Sequence, residues 1–163
     1  MVLFGSWRNQ VVRRRSDGRY DLVLDPALRE TMGSLLGELD ELVEAGPDDP
    51  GLRRLSPPAY LDDPDKDAEY QLLAGDELRS SRRAAIEAVL GSLEAEVLTE
   101  EELWAWLQSL NALRLVVGTR LGIDDDDHDH AIEVDPDDPA APLWSIYHFG
   151  TWLQHSVIGA LRA

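Results

Sequence analysis

The chain has 163 residues, no cysteine, and a formal net charge of −17 from 15 basic and 32 acidic side chains. The lack of cysteine excludes disulfides, thiolate catalysis and cysteine metal sites. The negative charge disfavours nucleic acid unless positive charge is concentrated locally. A chain of this length is expected to form one domain, 1–163. No apolar run approaches the roughly 18 residues that span a bilayer, so we expect a cytoplasmic protein without membrane contact.

Residues 1–24 are predicted to be a β-hairpin, because two runs of β-type residues flank an Asp-Gly turn at 16–18. A lone hairpin is only marginally stable, so a third strand from 1–7, the helices, or a second chain must support it. The hairpin region also carries two aromatic and four basic side chains: Phe4, Trp7, Arg13, Arg14, Arg15 and Arg19. We expect these six residues to form a protein interface, used by a homodimer, or the arginines to serve only as a solvated surface. An alternative is that the arginines enter the major groove of DNA.

The middle of the chain, 25–121, is predicted to be a helical core. Asp25 and Pro26 suit the cap and first position of a helix that ends near residue 44. Its polar face is expected to include Arg29.

A Pro- and Asp-rich connector, 45–65, follows the first helix. Four apolar side chains are expected to pin it to the surface: Leu52, Leu55, Tyr60 and Leu61. A second helix is predicted over 66–93, with Gly75 as a candidate break.

The clearest helix signal lies at 99–121. Thr99 and Glu102 have the spacing of a capping box, and Gly122 suits a left-handed C-terminal cap. Apolar residues cover most of the circumference, so this helix is expected to be central in its bundle.

Arg114 falls inside the apolar arc of that helix, with Asn111 and Gly118 at its edge. A charge there must be paired. We expect a carboxylate from another helix, and the candidates are Glu69, Asp76, Glu87 and Glu94. The alternative is that Arg114 binds a ligand.

Residues 122–141 form a strongly acidic segment that is expected to stay solvated as a loop. Its carboxylates, or His128 and His130, suggest cation binding, but the spacing matches neither an EF-hand nor a common zinc site. We therefore expect neither a metal nor a cofactor. A last helix is predicted over 142–161. A narrow stripe on it is expected to form an interface patch or to pack beneath the connector: His148, Trp152 and His155.

Three stretches together resemble an actinobacterial family known as domain of unknown function 2017. They are PPAYLDDPDKDAEYQLL, WLQSLNALRLVVGTRLGI and LWSIYHFGTWLQHSVIGAL. The resemblance covers nearly the whole chain and implies an all-helical body with no established enzyme activity. It also implies a link to mycobacterial relatives described as oxidative-stress transcriptional regulators that switch through cysteines. This chain departs from that pattern because it has no cysteine.

The predicted fold is mainly α, with a small N-terminal β-hairpin followed by a bundle of four or five helices. No Ser-His-Asp order, phosphate loop or HExxH motif indicates catalysis. We expect a non-enzymatic regulatory or adaptor protein that acts through protein–protein contacts, and the resemblance adds a link to transcription or stress. The alternatives are a DNA-binding regulator that uses the arginine-rich hairpin, a small-ligand or metal-binding domain, and an enzyme without a recognisable motif.

Overall fold

The computed structural model describes residues 11–46, 48–55, 58–123 and 135–163. The elements in chain order are β1 (Val12–Arg14), β2 (Tyr20–Leu22), α1 (Pro26–Ala45), a 3₁₀ helix η1 (Pro50–Leu55), α2 (Pro64–Gly91), β3 (Val97–Leu98), α3 (Glu100–Arg120) and α4 (Ala141–Arg162). The prediction of a mainly α fold with a small hairpin followed by four or five helices is confirmed. The proposed strand at 1–7 and the interface residues Phe4 and Trp7 lie outside the described residues.

The sheet is antiparallel in the order β1-β2-β3. Gly18 takes φ = 85° in the predicted hairpin turn, where a side chain would be strained. The third strand that the hairpin needs comes from β3, which was not predicted. The backbone N–H of Val12 donates to Ser156 Oγ of α4 at 3.2 Å. The hairpin is therefore supported within its own chain, and its stability does not require a second copy.

Helix α1 begins as predicted, because the Asp25 side chain accepts a hydrogen bond from Ala27 N at 2.8 Å. Its apolar stripe is buried, with Met32 and Leu36 fully inaccessible to solvent. This stripe covers one side of the core that unites the sheet and the four α-helices.

The prediction that Arg29 lies on the polar face of α1 is wrong. The side chain is 8% exposed. It donates from Nε to Leu24 O (2.9 Å), from Nη1 to Leu93 O and Ala95 O (both 2.7 Å), and from Nη2 to Leu22 O (3.1 Å). Its acceptors are backbone carbonyls of β2, of the segment before α1 and of the segment after α2, and such acceptors leave no pattern in the sequence.

The connector is pinned by only two of its four predicted residues. Leu52 and Leu55 are buried within η1. Leu61 and Tyr60 are exposed, so the prediction for them is wrong. The Tyr60 ring makes local contacts instead, edge-to-face with Tyr70 at 6.3 Å and with the Lys66 ammonium at 4.8 Å from its centroid. These contacts hold it at the start of α2, away from the core.

Helix α2 is continuous through Gly75, so the candidate break is not present. The Asp63 side chain caps it by accepting from Lys66 N at 3.1 Å. Its buried residues lie in the second half, at Ala85, Ile86 and Val89. The first half has no comparable burial.

Helix α3 is the central element, as predicted, and contacts α1, α2, α4, η1 and β3. Both hydrogen bonds of the capping box are present, from Glu102 N to Thr99 Oγ1 (3.1 Å) and from Thr99 N to Glu102 Oε1 (3.2 Å). Gly122 follows with φ = 75°. The buried Trp106 indole donates to Ser92 Oγ at 3.0 Å and so joins α3 to the end of α2.

Helix α4 matches the last predicted helix and packs on α3 and β1. Its core face includes Leu153 and Val157, both fully buried. Residues 124–134 of the predicted acidic loop, with His128 and His130, lie outside the described residues.

Candidate functional site

Arg114 lies between α3 and α4 and is partly buried. Its Nε donates to Thr151 Oγ1 at 3.0 Å, and its Nη1 donates to Gln154 Oε1. Its guanidinium carbon lies 5.4 Å from the centre of the Tyr147 ring. Residues 147, 151 and 154 share one face of α4 because they are four and three apart. Arg114 thus links α3 to one face of α4 through two hydrogen bonds and a contact with an aromatic ring.

The predicted carboxylate partner of Arg114 is wrong. Both acceptors are neutral oxygens on α4, and among the described residues no ion pair involves Arg114. The four candidate acids lie on α2 or just after it, whereas Arg114 faces α4. A Cβ added at Gly150 would lie 3.0 Å from Arg114 Cγ. The missing side chain at Gly150 is what lets the arginine stem lie against the α4 backbone.

The two residues predicted beside Arg114 have different surroundings. Gly118 is buried, and a Cβ there would make ordinary contact with Tyr147 Cε2 at 3.5 Å. Asn111 is exposed and faces the side of α2. The structure therefore does not assemble Arg114, Asn111 and Gly118 into one pocket.

Two of the four hairpin arginines pair with acids of the hairpin itself. Arg15 Nη1 pairs with Asp21 Oδ1 at 3.0 Å, and Arg19 Nη2 pairs with Asp17 Oδ2 at 2.9 Å. The hydrogen bond that Arg15 donates to Asp21 raises the pKa of Arg15. Arg14 donates to the carbonyl oxygen of Ala163, and Arg13 is exposed. Part of the positive charge that suggested a nucleic-acid surface is therefore balanced by acids of the hairpin.

The stripe on α4 does not form one exposed patch. The His148 ring is partly buried and stacks on Trp144, with centroids 5.9 Å apart and planes at 28°. Trp152 is partly buried, 6.1 Å from the Phe149 ring. Only His155 of the three is exposed. The first two therefore contribute to packing along α4.

A different surface emerges at the first half of α2. Five large apolar side chains are exposed there, and we call them the α2 surface: Tyr60 (39% exposed), Leu61 (83%), Tyr70 (40%), Leu72 (81%) and Leu73 (79%). The Tyr60 and Tyr70 rings contact each other, whereas Leu72 projects from the other side of α2, because residues two apart on a helix point about 160° away from each other. Exposed apolar side chains concentrated in one short segment, here residues 60–73, mark interaction sites more often than isolated ones do. The α2 surface is thus the candidate functional site.

The geometry of α2 explains this exposure. Arg83 pairs with Asp40 at 3.0 Å and lies 3.6 Å from Glu44, near the end of α1. From Pro64 to Arg83 the helix rises about 28 Å at 1.5 Å per residue, and α1 does not extend along this length. The first half of α2 therefore projects beyond the helix that covers the second half.

Acidic residues alternate along the chain with those of the α2 surface, and we call them its acidic rim. Between residues 60 and 77 there are seven acids and one base: Asp62, Asp63, Asp65, Asp67, Glu69, Asp76, Glu77 and Lys66. Asp67 is engaged locally, since its Oδ1 accepts from Ala59 N at 2.7 Å and Tyr60 N at 3.2 Å. An apolar surface with an acidic rim is complementary to a basic, apolar partner.

Sequence reasoning missed the α2 surface because the periodicity of a helix does not show how far along it the neighbouring elements extend. Two adjacent leucines, Leu72 and Leu73, in the acidic first half of the helix were the available signal.

Within the described ranges of the chain, no helix is both long and apolar enough to cross a membrane. Among the same residues, no group of three or more His, Asp or Glu side chains is arranged to hold a metal ion.

Comparison with known proteins gives one family and one relative. A family model described as a domain of unknown function (DUF2017) matches residues 7–161. A protein of Mycobacterium leprae is 31% identical over 172 aligned positions, which cover 83% of this chain and 77% of the relative. Its name describes it, provisionally, as the oxidative stress regulator AosR. No solved structure matches the chain at a significant level.

Proposed function

Since the chain belongs to the DUF2017 family, we propose that it is a non-enzymatic regulatory adaptor of the cytoplasm that acts through protein–protein contacts. The α2 surface is the contact site, and the partner is a basic protein with an apolar patch. The single observation that supports this is the near-complete exposure of Leu61, Leu72 and Leu73 within an acidic rim.

Burial of these leucines gives a partner a substantial gain. A leucine side chain moved from solvent into an apolar contact contributes about 1.5–3 kcal/mol. Only part of this gain appears as affinity, because association costs rotational and translational freedom. The acidic rim favours a basic partner by speeding encounter and by excluding acidic proteins. The leucines therefore supply affinity and the carboxylates supply selectivity.

The name of the mycobacterial relative supports a stress-linked regulatory role. A thiol switch within this sequence is excluded, because it has no cysteine. Of the two methionines, Met32 is fully buried in the core. A thiol-based oxidation signal must therefore act on a partner and not on this sequence.

Affinity capture from a lysate of the native host tests the proposal with three forms of the protein. In Leu72→Gln/Leu73→Gln the two leucines become neutral polar residues. Val23→Gln is the matched control, since Val23 is 63% exposed and lies in the strand region. We expect a basic protein that the wild type and Val23→Gln retain, that the double variant loses, and that high salt weakens. A partner retained equally by the double variant would contradict the proposal.

A second copy of this chain is the competing occupant of the α2 surface. The homodimer predicted from the sequence stays a prediction, and light scattering of the wild type and the double variant measures it. A wild-type dimer that becomes a monomer in Leu72→Gln/Leu73→Gln would assign the surface to self-association. A dimer that the two substitutions leave intact would direct attention back to the hairpin.

A further inference from the structure

A groove of about 240 Å³ lies between the second half of α2 and the middle of α3, with Leu55 of η1 at its edge. Its walls are apolar and include Leu78, Ile86 and Leu115. Arg82, Ser109 and Asn111 supply polar groups. None of the described residues that line it is acidic, which is unusual on a chain with 32 acids.

Arg82 has no acidic partner within 4.0 Å among the described residues. Its neighbours on α2 differ, since Arg79 pairs with Asp76 and Arg83 with Asp40. Arg82 donates from Nη2 to Leu55 O, and a guanidinium has five N–H donors in all. Burial lowers the pKa of Arg82, because the desolvated charge meets no compensating carboxylate. A partly buried guanidinium is thus oriented by one hydrogen bond and keeps further donors for an anion.

Ser109 is the second unusual group in the groove. The residue is 1% exposed, and its hydroxyl has no hydrogen-bond partner among the described residues. Buried side-chain polar atoms nearly always have one. That oxygen has essentially no accessible surface, so a ligand in the groove contacts the residue but does not reach its hydroxyl. Asn111 adds an exposed carboxamide at the same site.

We propose that this groove binds a small organic carboxylate. Its oxygens accept hydrogen bonds from Arg82 and from the exposed carboxamide N–H of Asn111, and its apolar body lies against Leu78, Ile86 and Leu115. Arginine binds carboxylates well because its planar donors match the two oxygens. The volume suits a compact molecule, since it is slightly below the 300–1,000 Å³ of typical ligand pockets. This binding is independent of the α2 surface and goes beyond the proposed adaptor function.

Titration of the full chain with matched small probes tests the proposal. Hexanoate and benzoate carry a carboxylate on an apolar body. Hexanamide lacks the charge, hexylammonium reverses it, and inorganic phosphate lacks the apolar body. We expect the two carboxylates to bind at millimolar concentration or tighter and to shift the amide NMR signals of Arg82, Ser109 and Asn111. The three other probes should leave these signals unchanged.

Variants assign the contacts. Arg82→Met should weaken hexanoate binding at least about tenfold, as expected for loss of a charge-assisted hydrogen bond. Arg79→Met is the control on the same helix and should bind like the wild type. Because Arg82 also holds Leu55, Asn111→Ala gives a second test: Asn111 is exposed, so this variant should fold with an unchanged melting temperature and bind hexanoate several-fold more weakly.

Three results would overturn the proposal. The first is that neither carboxylate binds at millimolar concentration. The second is that hexanamide binds as well as hexanoate. The third is that Arg82→Met, or a folded Asn111→Ala, binds hexanoate as tightly as the wild type. Each result concerns the groove alone, so the α2 surface is tested separately.

Discussion

Replacement of Arg29 by Met is expected to destabilise the fold severely. Methionine fills much of the arginine stem but donates no hydrogen bond. Four carbonyl oxygens then lose their donor: those of Leu22, Leu24, Leu93 and Ala95. These oxygens belong to β2, the segment before α1 and the segment after α2, so the substitution loosens the junction between the sheet and the helices.

The size of the loss in stability depends on whether water can hydrogen-bond to these carbonyl oxygens once the guanidinium is removed. The hydrogen bonds to Leu22 O and Leu24 O are buried, whereas those to Leu93 O and Ala95 O are only partly buried. A buried acceptor left without a donor costs about 1–3 kcal/mol. The two buried carbonyls therefore imply a loss of about 2–6 kcal/mol, and water reaches the other two. This loss is a large share of the ~5–15 kcal/mol that stabilises a typical domain.

Urea denaturation followed by circular dichroism measures the effect, and the midpoint shift at constant slope gives the change in the free energy of unfolding. The control is Arg13→Met, which removes an exposed arginine from the hairpin and should change stability by less than about 0.5 kcal/mol. A loss below about 1 kcal/mol in Arg29→Met would refute the reasoning, because it would mean that the four carbonyls find other donors at little cost.

Three smaller predictions concern single contacts. Arg114→Met should cost only about 1–2 kcal/mol in urea denaturation, because its acceptors are neutral and partly buried; a loss above about 3 kcal/mol would indicate an acidic partner after all. Thr99→Ala should cost about 0.5–2 kcal/mol through loss of the capping box, and an unchanged midpoint would show that the α3 terminus does not depend on it. Hydrogen bonds from the Arg19 backbone and side chain lower the pKa of Asp17, so its stabilisation of the hairpin is present above the usual aspartate range and disappears as acid protonates it. Wild type and Asp17→Ala should therefore differ in stability near neutral pH and converge in acid; a difference that persists in acid would contradict the assignment.

Local signals made α3 predictable from the sequence. Thr99, Glu102 and Gly122 lie within the chain segment that they organise, so their roles depend on short-range geometry. The hairpin turn at Gly18 and the cap at Asp25 were predictable for the same reason. The ends of these elements needed no knowledge of tertiary contacts.

Contacts between distant segments were not predictable in the same way. Strand β3 has two residues, too few for an alternating pattern to be visible. Arg29 binds backbone carbonyls, which every residue has. A carboxylate partner was predicted for Arg114 because a buried positive charge favours a negative one. In the structure its hydrogen-bond acceptors are the neutral side chains of Thr151 and Gln154.

The α2 surface and the groove depend on where helices end relative to each other. Leu72 and Leu73 are exposed because α1 does not extend along the first half of α2. Arg82 lacks an acid because its side chain points to η1 and α3, where the lining residues are neutral. The periodicity of a single helix predicts neither the exposure of the two leucines nor the neutral surroundings of Arg82, because both depend on neighbouring elements.

Site-specific photocrosslinking tests the central claim most directly, because it reports which position touches the partner. A photoreactive amino acid is placed at Leu73 in one variant and at the exposed control position Val23 in another, and both are expressed in the native host. We predict that position 73 crosslinks to one basic protein and that position 23 does not. Equal crosslinking from both positions, or none from position 73 while the partner is still captured, would contradict the assignment of the α2 surface.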